Sequence, residues 1–222
     1  MYAYRTFLLC LVCFTICCLG ACGARAPASS VPQAWIVIEN PDLPQWNLVR
    51  DAEAVSSSFS ERGLATWKPY AAAQWKHLRT LLKEASLHET VVAVNAFFNL
   101  WPHVDDRVAW GVEEHWARPV DFINRGGDCE DYAIAKYYAL RSLGVPAEKL
   151  LIAAVWNRNK KEPHAILIAR VDDTDFALDN QHPHIRPLDE LPQYGPYFYA
   201  VNENGMWRPA PDFSLASPAP LF

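Results

Sequence analysis

Near the middle of the chain, Arg125-Gly-Gly-Asp-Cys-Glu-Asp-Tyr132 sets one thiol among three carboxylates at the start of a helix. A helix start favours a thiolate, because unpaired backbone N–H groups and the positive end of the dipole face it. Those N–H groups can also stabilise the oxyanion formed when a thiolate attacks a carbonyl. Asp128, Glu130 and Asp131 oppose the same ionisation. Cys129 therefore reads as a nucleophile, a metal ligand, or a small buried residue with charged neighbours.

A nucleophile needs a base, and the base needs a group that orients it. His164 opens HAILIARV (164–171), a mostly buried strand, and Asp179 closes the return run Phe176-Ala-Leu-Asp179 after the turn Asp172-Asp-Thr-Asp175. A short turn lays two such strands side by side, close enough for a carboxylate to hold one imidazole tautomer. Singly, each residue has a plainer reading: core cysteine, surface histidine at a strand end, turn-forming aspartate. Together they point to cysteine-based acyl chemistry.

The helix that positions Cys129 begins with Asp128 as N-cap and Asp131 in a capping-box-like place. Ala133, Ile134, Tyr137, Leu140 and Leu143 can face a core, and Gly144-Val-Pro146 stops the helix. Upstream, Trp75, Leu78, Leu81 and Leu82 predict a helix over 71–85. The capping box Ser86-Leu-His-Glu89 leads into a second helix that ends near Pro102. Residues 103–127 read as a long loop rich in aromatics and acids, a length that points to function. Within it, Asp105 and Asp106 are further candidate oxygen donors, while Trp110 and Trp116 read as packing or groove-wall residues. Leu150–Trp156 and Tyr197–Val201 add strands, and His182 and His184 read as loop residues. Trp35-Ile-Val-Ile-Glu39 reads as a short strand, with loop following at Pro41 and Pro44. Helices first and an antiparallel sheet afterwards predict an α+β domain over 35–210, followed by a tail at 211–222.

A formal charge of −5 with no basic stripe gives no reason to expect nucleic acid as a partner. Of six cysteines, five fall between positions 10 and 22. Arg5, the apolar run Phe7–Leu19 and Leu19-Gly-Ala-Cys22 have the layout of a signal peptide over 1–22. The run is short for a membrane span, which needs roughly 20 residues. Leu-Gly-Ala-Cys also resembles the lipobox of bacterial lipoproteins, with Cys22 as the lipidated residue; an ordinary secretory signal is the alternative. Residues 23–34, GARAPASSVPQA, read as a tether. Removal of 1–21 and lipidation of Cys22 would leave Cys129 as the one free thiol, which in an oxidising compartment marks it as reactive.

GGDCEDYAIAKYYALRSLGVP, with HAILIARV and FALDN after it and FFNLWPHVDDRVAWGVEEHWARPVDFI before it, resembles the bacterial transglutaminase-like cysteine proteinases and their LapG-like periplasmic branch. The resemblance covers roughly 65–205. It implies a papain/transglutaminase-like fold, with N-terminal helices on an antiparallel sheet and the nucleophile at a helix N-terminus. It also implies Cys129 as nucleophile, His164 as general base and acid, and Asp179 as orienter. It suggests calcium at Asp128, Glu130 and Asp131, with carbonyls of 119–127 completing the shell; acids that merely complement the helix dipole are the plainer reading. It further implies a protein substrate, a large surface adhesin, and an inner-membrane cyclic di-GMP receptor as a partner. The expected location is the periplasm, lipid-anchored, with the outer membrane preferred. Acyl transfer by a transglutaminase or amidase on the same triad, and a non-catalytic calcium-binding module, remain the rivals.

Overall fold

The computed structural model describes residues 35–210. The expected signal peptide, lipobox cysteine, tether and tail at 211–222 lie outside those residues. In chain order come β1 (Trp35–Val37), α1 (Pro44–Val55), α2 (Glu61–Leu64), α3 (Pro69–Leu81), α4 (Leu87–Phe98), α5 (Asp106–Ala109), α6 (Pro119–Arg125) and α7 (Cys129–Ser142). The strands β2 (Leu150–Asn157), β3 (Glu162–Val171), β4 (Thr174–Leu178), β5 (Arg186–Pro187), β6 (Tyr194–Asn202) and β7 (Gly205–Pro209) follow. They form one antiparallel sheet in the order β1-β7-β6-β2-β3-β4-β5. Among the described residues no helix is long and apolar enough to cross a membrane.

Both faces of the central strands are covered. Ile152, Leu167, Ala169 and Leu178 belong to the core shared with the helices, while Ala153, Val155, Ile166 and Ala177 belong to a second cluster with Leu188, Tyr194 and Tyr197. That is why HAILIARV reads as continuous apolar sequence, whereas a one-faced strand alternates. Trp75, Phe98 and Phe122 are fully buried under the helical layer, and each phenylalanine contributes about 1.5–3 kcal/mol by leaving water.

The helix expected over 71–85 runs as α3 and tightens into a 3-10 turn at Leu82–Glu84. The capping box is present, with Glu89 N–H donating to Ser86 Oγ at 3.3 Å and Ser86 N–H to Glu89 Oε2 at 2.8 Å. Two expected loops are helical instead. Pro44 and Pro119 sit in the first turn of α1 and α6, where a missing N–H costs nothing and the fixed φ suits the helix. Pro44, read as a sign of loop, is a helix starter, and so is Pro119 inside the expected long loop. Glu53 on α1 then ties the two together: Arg118 Nε donates to its Oε1 at 2.9 Å and Ser58 N–H to its Oε2 at 2.8 Å.

Candidate active site

Cys129 is the first residue of α7, and the turn ahead of it depends on two glycines. Gly126 has φ +84°, and a Cβ there would lie 2.6 Å from the Pro102 carbonyl oxygen. At Gly127 a Cβ would lie 2.6 Å from Asp131 Cβ, so only glycine lets the Asp131 side chain fold back against the turn. Gly127 also bridges to His103, with Val104 N–H donating to its carbonyl at 3.0 Å. The helix that carries Cys129 therefore starts from a clamped point.

The expected capping by Asp128 does not occur. Asp128 is the N-cap residue, but its carboxylate makes no cap hydrogen bond. It turns instead into a cluster of acids. Oxygens of Asp106, Asp128 and Asp131 lie within 4.8 Å of one another, and so do oxygens of Asp106, Glu114 and Glu130. Asp131 Oδ1 accepts from Ala117 N–H at 2.6 Å, and Asp106 Oδ2 accepts from His115 N–H. Their other oxygens, Asp131 Oδ2 and Asp106 Oδ1, together with Asp128 Oδ1, are buried without a hydrogen-bond partner.

Burial and mutual repulsion act on this cluster together. Burial first, then Glu130, pushes Asp128 up to about 9; burial first pushes Glu130 up to about 7, and Asp131 and Asp106 also rise. Partnerless buried carboxylate oxygens are costly unless a cation joins them. Hard oxygen donors in this number suit calcium. Of the two further candidates, the structure brings Asp106 to the expected Asp128, Glu130 and Asp131 and leaves Asp105 outside the cluster as the residue ahead of α5; Glu114 is the residue it adds. Of the expected carbonyls at 119–127, those of Phe122, Ile123 and Gly127 already accept hydrogen bonds, from Gly126 N–H, Trp101 Nε1 and Val104 N–H. Glu114 lay hidden in the sequence because only the path of 110–118 brings it back to α7.

The expected hairpin places His164 against Val155 of β2 and Leu178 against Leu167 of β3, so Asp179 emerges beside the imidazole. His164 Nε2 lies 2.9 Å from Asp179 Oδ1, and both side chains are buried. Burial raises the Asp179 carboxyl, but hydrogen bonds from His164, Tyr194 and the Gln181 amide outweigh it and bring the carboxyl to about 2. Asp179 is thus a fixed anion. His164 Nδ1, with Gln181 Nε2 3.4 Å away, is the ring nitrogen left for other chemistry.

Cys129 meets this pair through the residue next to the histidine. Burial, then Glu130 and Asp128, push the thiol well up, while the Ala165 amide pulls the other way. The thiol donates to Glu130 Oε2 at 3.2 Å. With the cluster uncompensated, Cys129 is held as a thiol. Tyr199 of β6, whose phenol burial keeps protonated, is close enough to feel Glu114, Glu130 and Cys129.

Several residues here carry no sequence signal. Lys136 is fully buried on α7, donates from Nζ to Asn95 Oδ1 at 2.9 Å, and is pulled down to about 7 by burial, with Asp179 opposing. Asn99 Nδ2 donates to the carbonyls of Asp179 and His182, each at 2.9 Å. His182 Nε2 stands 3.8 Å from Asp179 Oδ2, so this loop histidine borders the acid. Trp116 is packed as expected, its Nε1 donating to Glu114 at 2.8 Å. Trp110 lies against His115, with the Arg125 guanidinium 4.3 Å from its ring.

A cysteine at a helix start, facing an antiparallel sheet that carries a buried histidine–aspartate pair, defines a cysteine peptidase of transglutaminase-like fold. The model of the bacterial transglutaminase-like cysteine proteinases matches residues 70–207, and the chain belongs to that family. Among solved structures it is similar to calcium-bound Legionella pneumophila LapG, at 26% identity and TM-score 0.58 over 72% of this chain and 87% of that one. EGTA-treated LapG from the same organism aligns at 27% identity and TM-score 0.57, over 72% of this chain and 84% of that one. No curated protein matches the chain.

Proposed function

We propose that this cysteine peptidase is a calcium-dependent endopeptidase of the bacterial cell envelope, with Cys129 as nucleophile, His164 as base and acid, and Asp179 as orienter. The observation that carries the reading is the buried His164–Asp179 hydrogen bond beside the amide that meets the Cys129 sulfur. Asp179 engages Nε2, so Nδ1 takes the thiol proton. The thiolate attacks a peptide carbonyl, the first-turn N–H groups of α7 stabilise the oxyanion, and the imidazolium protonates the leaving amine. Water, deprotonated by His164, then releases the acyl-enzyme.

Calcium fits the acid cluster, on the strength of the partnerless oxygens of Asp106, Asp128 and Asp131. Asp106, Asp128 and Asp131 with Glu114 and Glu130 would hold it. When bound it supplies positive charge that offsets the carboxylates acting on the thiol. LapG is described in calcium-bound and EGTA-treated forms, which supports the same reading here. The likeness to LapG extends the proposal to a substrate and a setting. The substrate is a large surface adhesin whose cleavage releases attached cells, and the regulator is an inner-membrane cyclic di-GMP receptor. The location is the periplasm, with Cys22 as a lipid anchor, preferably to the outer membrane.

The test pairs the wild type with Cys129→Ala on adhesin fragments, in calcium or in a chelator. Cleavage is expected only from the wild type with calcium. Cleavage by Cys129→Ala would remove the nucleophile assignment, and full activity in chelator would remove the calcium dependence.

A further inference from the structure

Asp179 is gripped by more donors than its histidine. Oδ1 accepts from His164 Nε2 and from the Gln181 N–H, each at 2.9 Å. Oδ2 accepts from the Tyr194 hydroxyl, with His182 Nε2 farther off at 3.8 Å. Tyr194 opens β6, is fully buried, and its ring lies 5.7 Å from the His164 ring at an interplanar angle of 35°. One side chain therefore touches both members of the pair. No sequence pattern marks it.

A carboxylate spreads its charge over the donors it accepts from, and each donor other than the imidazole lowers its basicity. An imidazolium held by a less basic carboxylate gives up its proton more readily. We propose that Tyr194 is a positioning residue for the peptidase reaction: its ring fixes the plane of His164, and its hydroxyl draws charge from Asp179 so that the imidazolium stays a competent acid toward the leaving amine. This rests on the proposed roles of His164 and Asp179. The other charged or titratable groups around the pair and Tyr194 are Lys136 and Cys129 from α7, Glu130 beyond the thiol, His182 on the segment after β4, and Tyr197 on β6. None of them bridges both partners as Tyr194 does.

Tyr194→Phe keeps the ring and removes the hydroxyl. With rates expressed per alkylatable Cys129 thiol in saturating calcium, the alkaline limb of the kcat/KM profile should rise by about 0.5–1 pH unit. At neutral pH kcat should fall about 3- to 10-fold with KM unchanged, because Tyr194 is fully buried and leaves no surface for substrate to touch. In an Asp179→Asn background, the same substitution should leave the limb of the residual rate where it was, since the hydroxyl acts through the carboxylate. A site-specific 3-fluorotyrosine at position 194 folds with the native shape and is a stronger donor, so the limb should move down. This second variant keeps the test decisive if Tyr194→Phe yields no alkylatable enzyme. A limb unmoved by either change, or an equal shift in the Asp179→Asn background, overturns the inference. His164→Ala and Asp179→Asn separate the two levels. A wild-type rate in either overturns the catalytic reading itself, whereas loss in both with an unmoved limb in the Tyr194 variants overturns only the role of Tyr194.

Discussion

Removing calcium should make the protein less stable as pH rises, against the usual behaviour of carboxylates. In the chelated protein Asp128 is pushed up to about 9 and Glu130 up to about 7, burial being the first cause for each. Their unfolded values lie near 4. A carboxylate whose folded value is raised favours folding in full below its unfolded value, and that contribution is lost as pH climbs through the folded one. The window runs from about 4 to about 9. Each proton kept only by the folded state costs about 1.4 kcal/mol per pH unit, so between pH 6 and 8 the pair costs about 2–4 kcal/mol. For a domain of this size that lowers the melting temperature by about 5–15 °C. Calcium at 100 times its Kd returns about 2.7 kcal/mol and displaces the same protons, so its benefit should be larger at pH 8 than at pH 6. Thermal melts across this range, in EGTA and in calcium, measure both quantities. A chelated protein that melts at one temperature throughout, or gains stability with pH, would refute the reasoning.

The ligand set makes its own prediction: Asp106→Asn and Glu114→Gln should each cut the calcium-induced rise in melting temperature by at least half, and Asp105→Asn should leave it intact. Alkylation of Cys129 by iodoacetamide at pH 7 should run about 10-fold faster with calcium, since the carboxylates that hold the thiol protonated are offset; equal rates would uncouple thiol from cluster. Asp179→Asn should lower kcat at least about 100-fold while leaving the fold intact by circular dichroism, because the buried imidazole loses the anion that orients it. Gly127→Ala should cost about 1–3 kcal/mol and most of the calcium response, as the new methyl displaces Asp131; a normal response would show that the turn is not what sets that side chain.

Much of this was legible along the chain wherever the signal is local. The Ser86–Glu89 box, the helix after Asp128 and the strand at His164 depend on spacing within a few residues, and each formed where expected. The hairpin put Asp179 within reach of His164 because a short turn leaves two strands little choice of register. Proline misled at Pro44, which has the chemistry of a breaker and of a first-turn residue alike; in the fold it starts α1, which Glu53 and Arg118 tie to α6. The segment 103–127 looked like loop because its two short helices carry too few residues to show a period.

The acids beside Cys129 show where local reading ends. By itself the sequence determined that a thiol stands at a helix start among carboxylates, and that a histidine and an aspartate return on paired strands. Only the tertiary structure decided what those carboxylates face. Asp106 and Glu114 arrive from the 103–118 segment, burial strips water from all of the group but Glu114, and Asp128 abandons its cap to join it. Likewise Tyr194 reaches Asp179 by hydrogen bond from β6, and the charge of Asp179 is felt by Lys136 two turns along α7 from Cys129. Chain geometry carries short-range hydrogen bonds, but desolvation and charge repulsion depend on every neighbour in space, and those neighbours are chosen by the fold.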